Sequence, residues 1–530
     1  MIIEKRKINF VILAAFLVVG ISFIFSRLRF LDVPLDRDEG TYLYTGYCFI
    51  RGYVPYVDFY EIKPPGIFLV YGLFELIFGA SLTLLHLGVL VMQLATCLMI
   101  YKISLRFFGD INRAFLSVAI YMIFNLFPNF QGFGVLSEHF FIFFVLLSMY
   151  WLQMVKKDTF KKYSLYAGLS LGMAAMIRQH AIFFIIPLLL YLIYIARTEK
   201  LNLKSLIIYY VFGNLIMIMS LTMYILLRGG LDEMIYWVFT KPSEQYLIKV
   251  TMAEGMVYLT NFLKNILYEK HWPMLILLFV GLIECFRNIF YRQTRWTAVI
   301  LLLFFIGSFA TVFPGLRFYG HYWLMFLPAL ALVSGNAYLN FESKLIKHSV
   351  ALLIGVLFIT QLTMNSGLYF KTNPNQIYQR LYGNNPNFAL QKITEYLNRK
   401  LKQSDEIFVF GSEPQVYYET QKVLKIPHIY VGFMHVPSKN SKKWQEETIG
   451  FLKNSPPEYL VHIQNSISIN MKDNSLHILY NWIFGFESSN YTPVAMADID
   501  NNNVPTYFFD KDARLNPKNN NYIILYKLNH

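Results

Sequence analysis

The sequence predicts a polytopic α-helical membrane protein. It has about eleven transmembrane helices, juxtamembrane helices in the first external loop, and a C-terminal extracytoplasmic α/β domain. Three observations predict it. Of the 530 residues, 55% are hydrophobic, 18% aromatic and only 15% charged, and mean hydropathy is +0.40, whereas soluble domains are about 45–50% apolar and about 25% charged. The excess falls in runs that approach or reach the roughly 17–25 residues needed to cross a bilayer. Basic residues alternate with those runs: each short loop assigned to the cytoplasm carries at least two, while the external turns 128–137 and 314–320 carry none and one.

The chain opens MIIEKRKINFVILAAFLVVGISFIF. Lys5, Arg6 and Lys7 place the N-terminus in the cytoplasm. No small-residue cleavage site follows, so the run, about 8–25, reads as a retained first helix. Residues 26–81 form an external loop, in which 66–79 is apolar but too short to span and suits a helix on the outer face. Further spans fall at about 82–101, 114–127 and 139–155. The fifth ends near Arg178, the sixth returns to Arg197, and the seventh covers about 205–227. A long external loop, 228–272, follows. The eighth span returns to Arg287, the ninth exits at PGLRFYGHYW, the tenth returns to Lys344 and Lys347, and the eleventh covers about 349–366. That gives a transmembrane domain over 1–367 and an external domain over 368–530. In the latter, FALQKITEYLNRKL has helical spacing, and EIFVF, PHIYVGF, PEYLVHI and NYIILYKL have the composition of strands.

The net charge of +14 sits in short loops, not on a basic face, so nucleic acid is excluded as a partner. Cys48, Cys97 and Cys285 lack metal-ligand spacing and read as apolar packing residues. The chain has no GxGxxG and no P-loop, so no cofactor is assigned.

The charge-dense features gather on one side. DRDEGTY (36–42), DFYEIKPPG (58–66), Glu138, Arg178-Gln179-His180 and Arg317 to Tyr322 come from separate external turns or outer helix ends. An ionisable group at a helix centre costs about 2.5–3.5 kcal/mol on insertion scales, so placing them at one depth points to a shared polar cavity. Ordinary solvation of external loops accounts for Arg27, Arg29 and Asp32. It accounts less well for Glu138 and Arg178, which abut long apolar runs. Carboxylates beside Lys63, Arg178, Arg317 and His321 suit group transfer from a phosphate-linked donor, which in a membrane is a lipid phosphate.

The stretch DRDEGTYLYTGYCFIRGYVPYVDFYEIKPPG resembles the first external loop of the GT-C superfamily of membrane glycosyltransferases. It is most like bacterial relatives of the protein O-mannosyltransferases and of the lipid A aminoarabinose transferase. Asp38-Glu39, Tyr42, Gly52, Asp58 and Lys63-Pro64-Pro65 follow that family's order. LSEHFFIFFVLLSMYW, GLSLGMAAMIRQHAIFFIIP and RFYGHYWLMFLPALAL resemble its later segments. The resemblance implies an inverting glycosyltransferase of the bacterial plasma membrane. Its donor is a polyprenyl-phosphate-linked sugar, and its acceptor is a glycan, lipid or protein of the cell envelope. It implies Asp38 as general base on the acceptor hydroxyl, Lys63 as the donor-phosphate ligand, and Glu138 orienting acceptor or sugar. Glu39 joins the catalytic acids, and Tyr42, Asp58, Arg178, Arg317, His321 and Tyr322 the substrate ligands. YEIKPP places a residue between Glu61 and Lys63, unlike the aminoarabinose enzyme, which puts a role for Glu61 in doubt.

Plainer readings stand beside these. Lys63 could only snorkel, Glu138 could cap its helix, and HYW could be an interfacial aromatic belt. Three clustered acids could hold a divalent cation, and the metal is left open. A lipid-linked sugar flippase, a polysaccharide polymerase or ligase, and a non-catalytic assembly or sensor protein are the rival classes. Within DRDEGTY, Asp36 and Glu39 have capping-box spacing, which leaves Asp38 free in the first turn.

Overall fold

The computed structural model describes residues 8–242, 244, 250–268, 272–340, 354–356, 358–360, 362–383, 385–471 and 474–529. Helix α1 (Phe10–Leu28) leads to two short helices, α2 (Arg37–Ile50) and α3 (Gly66–Phe78). Then come α4 (Leu82–Phe108), α5 (Ile111–Asn125), α6 (Ser137–Gln153), α7 (Phe160–Ile177), α8 (Ile185–Thr198) and α9 (Leu203–Leu227). Each predicted span from the first to the tenth falls on a helix. The eleventh lies partly outside the described residues, and the described ones at 354–356, 358–360 and 362–364 are helical. Among the described residues, four helical stretches are long and apolar enough to cross a membrane: α1, α4, Gln179–Thr198 and α9. Several others, including α5, are apolar but shorter.

The segment 228–272, expected as a long external loop, contains helices. It holds α10 (Leu231–Ile235), continued by Tyr236–Thr240, and α11 (Met252–Tyr268) before α12 (Trp272–Ile289). Two contacts pin α11: Phe262 stacks on Trp323 at 4.5 Å and 10°, and Gly255 lies against Leu316. The bundle closes with α13 (Arg295–Ala310) and α14 (Leu327–Asn336).

Arg27, read from sequence as a solvated charge, is 5% exposed. Its Nη2 donates to Asn125 Oδ1 at 2.6 Å and its Nε to Gln93 Oε1 at 3.1 Å. That exchange of water for oriented acceptors ties the C-terminal end of α1 to α4 and α5.

Helices α2 and α3 cross at glycines. A Cβ on Gly46 would lie 2.6 Å from Gly72 N, and one on Gly72 2.3 Å from Ile50 Cγ2. Across this pair of helices the buried Tyr42 and Tyr71 rings meet at 5.3 Å.

The C-terminal part is a five-stranded mixed sheet in the order β1-β2-β5-β3-β4. The strands are β1 (Ile407–Phe410), β2 (Tyr459–Gln464), β3 (Tyr491–Ile499), β4 (Pro505–Phe509) and β5 (Asn521–Leu528). The pair β1–β2 is parallel, and the other neighbours are antiparallel. Helix Asn387–Lys400 matches its expected span. PHIYVGF is not a strand: Val431–His435 is a helical turn. Pro427 lacks a donor, its carbonyl accepts from Tyr60 N–H at 2.8 Å, and Val431 N–H binds Gly411 O just past β1. The apolar residues there are buried by packing across the strand end, not by joining the sheet. Strands β3 and β4 went unpredicted because prolines interrupt them. Pro493 sits at a register shift and Pro505 opens the edge strand, two positions where a missing N–H is tolerated.

This domain rests on α2. Gly40 lies so close to Gln415 that a Cβ would stand 2.3 Å from its Cβ. Tyr44 OH accepts from Leu424 N–H at 2.9 Å, and Tyr47 OH donates to Gln421 O at 3.0 Å.

Gly46→Val should wedge α2 and α3 apart at a cost of about 1–3 kcal/mol or more. Thermal unfolding in detergent should show a lowered midpoint. An unchanged midpoint would mean that the crossing is not tightly packed.

Candidate functional site

Helix α2 starts where the sequence placed it. Asp36 precedes its first residue, and Glu39 Oε2 accepts from Asp36 N–H at 2.6 Å, which closes the Glu39 half of the capping box. Glu39 Oε1 accepts from Val135 N–H at 2.7 Å, so this carboxyl joins the start of α2 to the turn before α6. Asp36 Oδ1 accepts from Asn385 Nδ2 at 2.9 Å. Asp38 projects from the same turn, half-buried, and accepts no hydrogen bond from a described residue.

The loop after α2 returns beneath it. Tyr56, buried with φ 66°, donates through its hydroxyl to Lys63 O at 2.5 Å. That bond fixes the backbone carrying Lys63. The half-buried Lys63 ammonium forms no hydrogen bond or ion pair with a described residue. Burial, and then Arg178, lower its pKa. Glu61 is 3% exposed, and its carboxyl is pushed from its ordinary 4.5 up to about 7 by burial, with Lys63 opposing and Asp38 adding to the shift.

The third wall is the turn between α13 and α14. Leu316 and Phe318 hold φ of 52° and 48°, and Gly315 holds 76°. Non-glycine residues in this left-handed region store strain, which clusters at ligand clamps. Arg317 Nη1 donates to Tyr319 OH at 3.1 Å, Tyr319 stacks on His321 at 5.8 Å, and His321 Nδ1 contacts Gln131 Oε1 at 3.2 Å. Burial lowers the His321 pKa.

These segments enclose a cavity of about 670 Å³. Of the residues singled out from sequence, Asp38, Tyr42, Lys63, Arg317, His321 and Tyr322 line it together. Glu138 and Arg178 form a buried ion pair from the N-terminal end of α6 and the C-terminal end of α7. Ser137 Oγ accepts from the same Arg178 Nη1 at 2.9 Å, and the guanidinium lies 5.5 Å from the Tyr322 ring centre. The pair therefore backs the cavity through Tyr322. Glu39 is buried and does not line the cavity. Asp58 is exposed and accepts from Val54 N–H at 2.6 Å as a turn residue.

Sequence reasoning passed over other lining residues: Arg37, Glu61, Tyr319 and, from the C-terminal domain, Ser412, Tyr430 and Asn470. Glu61 stood inside a quoted motif and was set aside because of the inserted Ile62. Nothing local in 412–470 marked its residues, because only the tertiary fold brings them to α2.

Among the described residues, no group of three or more His, Cys, Asp or Glu is arranged to hold a metal ion. The acids of 36–39 diverge: Glu39 bonds to backbone N–H groups, Asp36 to Asn385, and only Asp38 is free of such bonds. They do not fit a shared cation.

The resemblance read from the motifs is borne out by comparison. The sequence family described as dolichyl-phosphate-mannose-protein mannosyltransferase matches residues 62–243, a part that includes Lys63, Glu138 and Arg178 but not Asp38. The structure of ArnT from Cupriavidus metallidurans in the apo state aligns with a TM-score of 0.54 at 12% identity, covering 97% of each chain. The same protein bound to undecaprenyl phosphate aligns at 0.53 and 13% identity, covering 85% of this chain and 93% of that one. The shared feature at such identity is the fold. No curated protein sequence matches the chain.

The Glu61 shift yields a stability test. Between pH 4.5 and about 7 the folded chain holds the Glu61 proton that the unfolded chain releases. This group's contribution therefore falls as pH rises through that window and stays low above it. Glu61→Gln should leave the thermal midpoint unchanged near pH 4.5 and raise it at pH 8. A lowered midpoint at pH 8 would mean that the carboxylate is favourably held.

Proposed function

We propose that the protein is a membrane glycosyltransferase that moves a sugar from a polyprenyl-phosphate donor to a hydroxyl of a cell-envelope glycan, lipid or protein. The observation that carries this reading is that Asp38 and Lys63, neither bonded to a described residue, line one cavity. The fold shared with a protein crystallised with undecaprenyl phosphate supports a lipid-phosphate donor.

In the proposed reaction, Asp38 accepts the proton of the acceptor hydroxyl as its oxygen attacks the anomeric carbon. The bond from that carbon to the phosphate oxygen breaks, and the electron pair leaves with the polyprenyl phosphate. Lys63 and Arg317 neutralise the phosphate charge. Attack on the face opposite the leaving group inverts the anomeric centre. The proton on Asp38 passes to water before the next cycle. Glu138 and Arg178 act behind the wall. A buried ion pair is weak evidence for stability by itself, and here it fixes the cationic side of the cavity through Tyr322. In the topology read from the sequence, eleven spans with a cytoplasmic N-terminus, this cavity and the C-terminal domain lie outside the cytoplasm. Residues 1–367 form the transmembrane catalytic domain and 368–530 the external one.

Purified protein given a radiolabelled polyprenyl-phosphate sugar and an envelope extract should transfer label. Asp38→Asn should lower kcat by about 10²–10⁴-fold, the range for loss of a general base. Lys63→Met should mainly weaken donor binding. Full activity in Asp38→Asn would remove that residue from the mechanism.

A further inference from the structure

We propose that Glu413 of the C-terminal domain is a positioning residue for the transfer reaction, acting through Arg37 to hold Asp38 in register with the cavity. The inference rests on Asp38 being the base, as read above.

Glu413 is 0% exposed. Its Oε2 accepts from Ser412 N–H at 2.6 Å and from Ser468 Oγ at 2.5 Å, so its own domain holds it on two sides. Its Oε1 accepts from Arg37 Nη2 at 2.9 Å. Arg37 is the first residue of α2 and the immediate neighbour of Asp38. A fully buried carboxylate is costly unless charge-paired, so the domain is committed to keeping that guanidinium in place. Two more contacts from the same helix face extend the grip: Gly40 against Gln415, and the Thr41 hydroxyl bonded to the Tyr430 hydroxyl. On the other side, Glu39 anchors the turn to Val135. Asp38 thus sits on a turn clamped from two directions, and its own carboxylate takes no part in either clamp.

The arrangement also keeps Arg37 occupied. Its guanidinium lines the cavity. A free cation next to the base would pair with Asp38 and draw down its basicity. With Glu413 as its partner, the guanidinium faces away from that role. The C-terminal domain then works as part of the catalytic machinery and not only as a surface for the acceptor.

The variant is Glu413→Gln in the full chain, with Arg37→Gln as a second break from the exposed side. For both variants the expectation is a kcat about 10–100-fold lower, the scale for misplacing a reacting group, and for Glu413→Gln, whose side chain is off the cavity, binding of undecaprenyl phosphate within about twofold of wild type. Glu413→Asp, which keeps the charge, should recover part of the loss. Hydrogen–deuterium exchange over 37–42 should rise in both neutral variants without any substrate present. Unchanged exchange there, or unchanged kcat in folded Glu413→Gln, would overturn the positioning role. If wild type transfers label and Asp38→Asn does not, such a result leaves the proposed function standing. If Asp38→Asn is fully active, the exchange result still decides whether Glu413 holds the turn, but positioning of a base is overturned with the base.

Discussion

Everything around the cavity depends on how α2 begins. Glu39 spends both oxygens on backbone donors, one from Asp36 and one from Val135. The first bond starts the helix, and the second fastens that start to the turn ahead of α6. The turn in turn fixes Ser137 and Glu138, and through them Arg178. One buried carboxyl therefore sets the distance between the acid side of the cavity and its cationic back wall. Without it, α2 would be a short polar helix with fewer than four turns, too brief to hold a position by its own hydrogen bonds.

The charges divide into paired and unpaired sets. Glu138 is matched with Arg178, and Glu413 with Arg37. Asp36 and Glu39 are bonded to amides. Asp38 and Lys63 remain, each half-buried on the cavity surface without a described partner. Ionised groups are expensive in such a region, and in the proposed function these two are the groups a ligand would engage. A phosphate needs the ammonium and a hydroxyl proton needs the carboxylate, so the residual pair matches both halves of a glycosyl transfer.

Much of this was legible in the sequence, for identifiable reasons. Hydropathy and loop charge mark spans because lipid leaves no alternative for the backbone, so each of the first ten fell on a helix. DRDEGTY was readable as a capping box because that motif is local. What was missed is non-local. Arg27 looked like a loop cation because nothing in FSRLRF announces that Gln93 and Asn125 will receive it. Asp58 looked like a ligand because it follows the motif order, yet its carboxylate is spent four residues back on Val54. PHIYVGF looked like a strand because burial against α2 and burial in a sheet demand the same apolar composition. Helix α11 was hidden in a loop because its packing partner, Trp323, lies far along the chain.

The two sides of the cavity differ in a way that orders the substrates. The transmembrane side supplies Lys63, Arg317 and His321, while the C-terminal domain supplies Ser412, Tyr430, Ser466 and Asn470, all uncharged. In the proposed reaction the phosphate is drawn to the cations of the first wall, which also carries the Asp38 and Glu61 carboxylates. Hydroxyls and aromatic faces of the second suit an uncharged polyol, which forms many weak hydrogen bonds and stacks on rings. Asp38 stands at the seam, on the one helix that both walls grip. In the proposed reaction, a base placed there meets a hydroxyl arriving along the polar wall as the sugar leaves the phosphate.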